Sequence, residues 1–358
     1  MNGERLLFKV RSKFLIQRKV SSKALLLTLS LFVILTIATL QTQTHHSARA
    51  RTPSWQQFVY TGPSGSLPYF VYTPHNYQTG TTVPLIVMLH ACGQTAIDFA
   101  TGTQMNQLAE RYNFIVAYPQ QLGIYNPALC WNWFKPADPV RGTGEPAIIA
   151  GIVRQIESST SRWTIDRHRI YVTGLSAGAA MAVVLGATYP DIFAAIGVHS
   201  GAEYGAVTSP VNGGQAYLHG GPDPIQQGKA AYKAMGRFAR VVPTIVFHGT
   251  IDPVSRPING KQVVQQWMET DFLASHGTYH ADFNHPSRTI KGAVPGGHTY
   301  TVYKWNDTHG NEIEEYWLIN GMVHAWSGGA PYYFTDLLGP SASLAMYIFF
   351  MHHPLIDQ

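Results

Sequence analysis

The chain has 358 residues, of which 45% are hydrophobic and 13% charged, so a sizeable globular core is possible and disorder is not expected. The formal net charge is +5, but residues 1–50 hold eight of the 25 Lys and Arg residues and only one of the 20 Asp and Glu residues. Residues 51–358 are therefore slightly acidic, with their basic residues scattered, and this distribution argues against nucleic-acid binding.

Residues 1–50 have the organisation of a signal peptide. A basic region ends at Lys23, residues 24–40 form an apolar stretch without charges, and residues 48–50 read Ala-Arg-Ala, which is a small-x-small cleavage site. We expect cleavage after Ala50 and secretion of the remainder. An uncleaved signal anchor is the alternative, because the apolar stretch lies at the lower length limit for a membrane span. Contact with a membrane is expected only in that second case.

The predicted elements alternate between strands and helices over the rest of the chain. The predicted strands are residues 58–62, 67–73, 83–90, 114–118, 170–173, 194–198, 242–248, 300–305 and 315–319. The predicted helices are a segment that reaches Arg111, residues 145–158, the segment after Gly178, residues 260–276 and residues 341–351. This alternation predicts a single α/β domain at residues 51–358, with a mostly parallel sheet covered by helices on both faces.

One stretch imitates a cofactor motif. Residues 142–147 read Gly-Thr-Gly-Glu-Pro-Ala and fit the dinucleotide pattern, but they follow a polar loop rather than a strand. Thr143 as N-cap and Pro146 in the first turn explain the stretch as the start of a helix. No cofactor is expected.

Residues 169–189 read RIYVTGLSAGAAMAVVLGATY and contain the most informative motif. A β-branched and aromatic run is followed by Gly-Leu-Ser-Ala-Gly and then by an Ala-rich helical segment. A strand, Gly-x-Ser-x-Gly and a helix in this order are typical of a nucleophile elbow, in which a strained turn exposes the serine hydroxyl. Ser176 is therefore the candidate nucleophile.

A serine nucleophile needs a histidine base and a carboxylate that orients it. In the α/β-hydrolase order the acid and then the histidine follow the serine, each at the end of a strand. Asp252 lies just past the predicted strand 242–248, and a short loop separates His324 from the strand EYWLIN. His199, His248 and His298 lack the combination of order and setting. The sequence therefore predicts Ser176, Asp252 and His324 as the catalytic triad.

The reaction also needs hydrogen-bond donors for the oxyanion. The backbone N–H of Ala177 directly follows the nucleophile, and the N–H of Cys92 lies in the small-residue loop after the strand that ends at His90. Cys92 and Cys130 are the two cysteines of the chain, and in an exported protein such a pair is more often bridged than free. Two thiols supply too few ligands for structural zinc, so no metal is expected.

Several collinear segments resemble the poly(3-hydroxybutyrate) depolymerase family of esterases, which is related to feruloyl and acetylxylan esterases. They are LHACGQTAIDFATGTQMNQLAERYNFIVAYPQQ, CWNWF, RGTGEPAIIAG, RIYVTGLSAGAAMA, LGATYPDIFAAIGVHSG, FHGTIDPV and GMVHAWSGG. The resemblance implies an α/β-hydrolase fold, the triad chosen above, Cys92 at the oxyanion hole and a disulfide between Cys92 and Cys130. Ala91 stands where the family usually has glycine, which could narrow the oxyanion loop slightly.

Aromatic residues near these motifs are candidates for substrate contact. Trp131 follows Cys130 and Trp326 lies two residues after His324, so both are predicted to line an apolar cleft. Trp133 and Phe134 fit a cleft or the core equally well.

The sequence thus predicts a secreted serine esterase that acts on short-chain polyesters such as poly(3-hydroxybutyrate) or their oligomers. A feruloyl or acetylxylan esterase acting on plant polysaccharide is the alternative. A non-catalytic surface-binding protein on the same fold is a distant third, because it would not need an acid and a histidine in the required order. No protein partner is implied.

Overall fold

The computed structural model describes residues 54–135, 140–207 and 210–356, and the predicted signal peptide lies outside these ranges. The strands are β1 (Ser54–Gly62), β2 (Gly65–Thr73), β3 (Thr82–Leu89), β4 (Ile115–Pro119), β5 (Thr164–Leu175), β6 (Ala195–His199), β7 (Thr244–Gly249), β8 (Arg288–Ala293), β9 (Thr299–Asn306), β10 (Glu312–Ile319), β11 (Trp326–Ser327) and β12 (Thr335–Asp336). The helices are α1 (Ala96–Thr103), α2 (Met105–Tyr112), α3 (Gly144–Ser158), α4 (Ala177–Thr188), α5 (Pro210–His219), α6 (Pro224–Met235), α7 (Pro257–Ala274) and α8 (Ala342–His352).

Strands β1 to β10 form one sheet in the order β1-β2-β4-β3-β5-β6-β7-β10-β9-β8. The six adjacent strands β4, β3, β5, β6, β7 and β10 pair in parallel. The strands at the two edges, which are β1 and β2 on one side and β9 and β8 on the other, pair antiparallel. The carboxyl ends of β3, β5, β7 and β10 therefore lie along the same edge of the sheet. Loops at this edge are where an open α/β sheet places its site.

Helices cover both faces of the sheet and enclose two apolar clusters. On one face α3, α4 and α7 pack against the strands, and on the other face α1, α2 and α8 do so. Every residue of α4 is buried, which explains its apolar, Ala-rich sequence: small side chains allow the helix to lie close to the sheet. The mostly parallel α/β architecture predicted from the alternating pattern is confirmed.

The structure differs from the sequence prediction in several places, of which three concern the helices and the sheet edge. The helical segment that reaches Arg111 is divided into α1 and α2 at Gln104, whose φ is 57°. Helices α5 and α6 were not predicted, because this glycine-containing part of the chain has no strong apolar period. Strand β8 was also missed, since it is an edge strand with mostly exposed side chains and so lacks the alternating apolar pattern.

Candidate active site

Ser176 lies at the turn between β5 and α4, at the carboxyl edge of the sheet. Its φ of 58° and ψ of −118° are a strained conformation for a residue with a side chain. Gly174 and Gly178 make the turn possible: a Cβ at Gly178 would lie 2.1 Å from Leu89 O, and one at Gly174 would lie 2.4 Å from Gly178 C. Ser176 N donates to His199 O at 2.9 Å, which ties the turn to β6.

Asp252 and His324 meet beyond the ends of β7 and β10. His324 Nδ1–H donates to Asp252 Oδ2 at 2.7 Å, while Asp252 Oδ1 accepts from Val254 N and Ser255 N at 2.9 Å each. Burial acts to raise the pKa of Asp252, but the hydrogen bond and charge of His324, together with His248 and the Ser255 N–H, hold it below its usual value. Asp252 is therefore an ionised carboxylate that fixes the His324 tautomer.

Ser176 and His324 do not form a short hydrogen bond. Among the described residues, Ser176 Oγ has no hydrogen-bond partner on His324 within 3.5 Å. Catalytic contacts of this kind are often long without substrate and tighten in the reacting complex. The structure brings the serine, acid and histidine to one edge of the sheet, and the acid–histidine half of the arrangement is already hydrogen-bonded.

Two further histidines lie near this group, and both are fully buried. His248 Nε2–H donates to Ser255 O at 2.7 Å and lies 3.8 Å from Asp252 Oδ2. His199 Nε2 accepts from Ser327 N at 3.0 Å, so it connects β6 with the segment after His324. Burial lowers the pKa of both histidines, and they are neutral at neutral pH. They support the loops of the site rather than serve as its base.

The loop after β3 holds the other predicted oxyanion donor. Cys92 forms a disulfide with Cys130, with the two Cα atoms 4.2 Å apart, and Gly93 N donates to Ala128 O at 2.8 Å. Within the described ranges, neither Cys92 N nor Ala177 N donates to another protein atom. Cys92 lies in the loop after β3 and Ala177 is the first residue of α4, so both N–H groups lie at the edge where Ser176 lies and are available for an oxyanion.

A buried network of polar side chains stabilises the loop that carries Cys92. The Glu145 carboxylate accepts hydrogen bonds from Asn132 N, from Asn132 Nδ2 and from Gln121 Nε2. Gln121 N in turn donates to His90 Nε2 at 3.1 Å. The network joins the start of α3 to the segment after Cys130 and to His90, the residue directly after β3.

The predicted substrate contacts Trp131 and Trp326 are corrected by the structure. Both side chains are completely buried. Trp131 Nε1 donates to His90 O at 3.0 Å, and Trp326 Nε1 donates to Ser343 Oγ at 3.0 Å while its ring stacks on His199. A side chain without exposed surface cannot contact a substrate here, so these residues brace the loops that carry Cys92 and His324. An aromatic residue beside a functional one gives the same sequence signal in either role.

Sequence reasoning missed two features of the site. The first is the exposed apolar side chains beside the acid and the histidine, which are those of Ile251, Val254 and Val323. The second is Tyr217 of α5, which lies close to Ser176. Neither carries a motif, although an apolar residue flanking each predicted site residue could have been noticed.

Outside this group, the described residues contain a separate cavity, but neither a cluster suited to a metal ion nor a helix able to cross a membrane. A cavity of about 1150 Å³ between β10 and α8 contains none of the predicted site residues. No cluster of three His, Cys, Asp or Glu side chains suited to a metal ion occurs within residues 54–135, 140–207 and 210–356. Across the same ranges, the helices are too short or too polar to cross a membrane.

The chain is similar to known proteins in sequence and in fold. Residues 67–284 match the family described as Esterase PHB depolymerase. The chain is 34% identical to poly(3-hydroxyalkanoate) depolymerase C of Paucimonas lemoignei, over 73% of this chain and 58% of that protein. It is 30% identical to a probable acetylxylan esterase A of Aspergillus fumigatus, over 78% of this chain and 74% of that protein.

A solved acetyl xylan esterase from Aspergillus awamori superposes with a TM-score of 0.65 at 23% identity, covering 84% of this chain and 99% of that chain. At this identity the likeness shows the fold, which is that of an α/β-hydrolase. The chain spans less than two thirds of the Paucimonas relative.

Proposed function

Since this chain belongs to the PHB depolymerase family of esterases, we propose that it hydrolyses carboxylic esters with Ser176 as nucleophile, His324 as base and Asp252 as the residue that orients the base. The observation that carries the proposal is the 2.7 Å bond from His324 Nδ1 to Asp252 Oδ2, at the same sheet edge as the strained turn of Ser176. That bond leaves Nε2 of His324 as the unprotonated nitrogen that can accept a proton.

In the first half of the reaction, His324 Nε2 takes the proton from Ser176 while Oγ attacks the ester carbon. The backbone N–H groups of Cys92 and Ala177 stabilise the oxyanion that forms. His324 then gives its proton to the leaving alcohol, and the acyl group remains on Ser176. Asp252 stays ionised throughout and stabilises the imidazolium.

In the second half, water attacks the acyl-enzyme with His324 again as base. The N–H groups of Cys92 and Ala177 stabilise the second oxyanion, and Ser176 regains its proton when the acid product leaves. The reaction uses side chains and backbone groups of this chain alone.

We propose short-chain polyesters or their oligomers as the substrate class. Ile251, Val254 and Val323 are between 45% and 58% exposed and flank Asp252 and His324 in the chain. An exposed apolar border suits an apolar, water-poor substrate better than a hydrated polysaccharide. Feruloyl or acetylxylan esterase activity is the second candidate, because relatives and a solved structure of those names resemble the chain.

The comparison of kcat/KM on a 3-hydroxybutyrate oligomer, an acetylated xylo-oligosaccharide and methyl ferulate tests the substrate class. We expect the hydroxybutyrate oligomer to be preferred by at least about tenfold. Preference for either plant ester would replace the polyester proposal, and turnover that survives Ser176→Ala unchanged would overturn the catalytic one.

We further propose that residues 51–358 form one exported catalytic domain. The basic region, the apolar stretch and the Ala-Arg-Ala site of residues 1–50 support this proposal, as does the disulfide between Cys92 and Cys130, because such bonds persist in oxidising compartments.

A further inference from the structure

Tyr217 of α5 is held in place by contacts with two segments, the one that follows Asp252 and the one that contains Trp133. Its carbonyl oxygen accepts hydrogen bonds from Arg256 N and from Asn259 Nδ2, each at 2.8 Å, in the segment that follows Asp252. Its ring meets that of Trp133 edge-on, with 5.5 Å between the centroids. Tyr217 therefore lies between the acid loop and the segment that follows the disulfide.

The hydroxyl of Tyr217 lies near Ser176 and Asp252. Burial is the largest influence on its pKa and raises it well above the usual value. A hydrogen-bonding interaction with the Ser176 hydroxyl lowers the pKa by less, and the charge of Asp252 raises it. A tyrosine in this state keeps its proton at every working pH. The hydroxyl is a hydrogen-bond donor beside the nucleophile.

This donor is also unsatisfied. Oη of Tyr217 is buried, and the Ser176 hydroxyl is too far away or too poorly aligned to satisfy it, because no described residue forms a hydrogen bond with Oη within 3.5 Å. Buried tyrosine hydroxyls usually have a partner, and one without a partner destabilises the folded protein. Such a group beside a nucleophile is explained when a bound substrate supplies the missing acceptor.

We propose that Tyr217 donates this hydrogen bond to an oxygen of the reacting ester and that the bond strengthens as negative charge develops on that oxygen. The inference rests on the proposed function, because it takes Ser176 as the attacking group. No proton is transferred: the proton of Ser176 passes to His324, and Tyr217 retains its own. Tyr217 would thus be a third donor beside the N–H groups of Cys92 and Ala177.

Tyr217→Phe is the direct test, since it removes the hydroxyl and keeps the ring against Trp133. We expect kcat on 4-nitrophenyl butyrate to fall about ten- to hundredfold while KM stays within about threefold, because the interaction is made in the transition state. The melting temperature should be equal or higher, since an unsatisfied buried hydroxyl is removed. A purely structural role would instead lower stability.

Tyr279→Phe is the matched control. Tyr279 lies after α7, and its hydroxyl is likewise buried without a hydrogen-bond partner within the described part of the chain. This variant should retain wild-type kcat. Ser176→Ala, assayed in parallel, separates the two proposals.

If Ser176→Ala is inactive and Tyr217→Phe keeps kcat within about twofold, the role of Tyr217 is refuted and the proposed function stands. A rise in KM alone would refute it equally, because it would indicate ground-state binding. If Ser176→Ala remains active, the proposed function itself fails.

Discussion

The Asp252 carboxylate has a separate task for each oxygen. Oδ1 accepts from Val254 N and Ser255 N, which holds the acid loop, and Oδ2 accepts from His324 Nδ1. An asparagine in the same place would have only one oxygen that can accept. Its NH₂ group would face either the N–H groups of Val254 and Ser255 or the N–H of His324. The proposed mechanism therefore depends on the charge and on the acceptor pattern of this one side chain.

Asp252→Asn should lower kcat by about 10³- to 10⁴-fold with little change in fold, because His324 would lose the tautomer that accepts a proton from Ser176. Steady-state kinetics with 4-nitrophenyl butyrate measures this. Asp336→Asn is the control, since Asp336 Oδ2 pairs with His298 Nε2 at 2.9 Å in a similar way. Comparable losses in both variants would contradict a specific role for Asp252.

Glu203 gives a pH prediction, because neither carboxylate oxygen has a hydrogen-bond partner among the described residues. Burial, with a smaller contribution from Asp223, raises its pKa to about 8. Between pH 4.5 and about 8 the unfolded chain has lost this proton while the folded protein retains it. The free energy of unfolding therefore falls as pH rises through this window.

Glu203→Gln removes that linkage. Between pH 5 and pH 8 the free energy of unfolding of the wild type should fall by roughly 2–4 kcal/mol because of Glu203. The variant should not show this fall, and urea titration measures both proteins. Identical pH dependence in the wild type and the variant would show that Glu203 ionises normally in the folded protein.

At the scale of elements, the turn from β5 to α4 was predictable because its chemistry is local. The pattern of a strand, Gly-x-Ser-x-Gly and a helix requires backbone proximity at its glycines, and the structure places Leu89 O where a Gly178 Cβ would lie. Helix α5 was not predictable in the same way. Its position depends on contacts with the Asp252 loop and with Trp133, which are distant in sequence.

Gly178→Ala should destabilise the fold by at least about 2 kcal/mol or prevent soluble expression, since the added methyl group meets the β3 backbone. Gly123→Ala is the control, because a Cβ there has no neighbour within 4 Å among the described residues. Thermal unfolding compares the two. Equal melting temperatures would contradict the close approach between the elbow and β3.

At the scale of the whole molecule, the sequence predicts the kind of sheet but not the order of its strands. Buried apolar runs separated by helices predict a parallel sheet, and the observed order β4-β3-β5-β6-β7-β10 is such a sheet. The roles of Trp131 and Trp326 could not be read from their neighbours, because burial is decided by packing between remote segments. The same holds for the buried hydroxyl of Tyr217.

The fate of residues 1–50 is also a property of the whole chain. Expression of the full sequence in a secreting host should yield extracellular protein whose N-terminal residue is Arg51, as read by N-terminal sequencing. Protein that stays in the membrane fraction with Met1 or residues near it at its N-terminus would favour the signal anchor.

The most direct test of the account is covalent labelling with a 4-nitrophenyl alkylphosphonate, followed by peptide mapping. We predict one equivalent of 4-nitrophenolate released per chain, complete loss of esterase activity, and the phosphonyl group on Ser176. His324→Ala should label far more slowly, because its base is missing. Complete inactivation with Ser176 unmodified, or with the label on another residue, would contradict the assignment of Ser176 as the nucleophile.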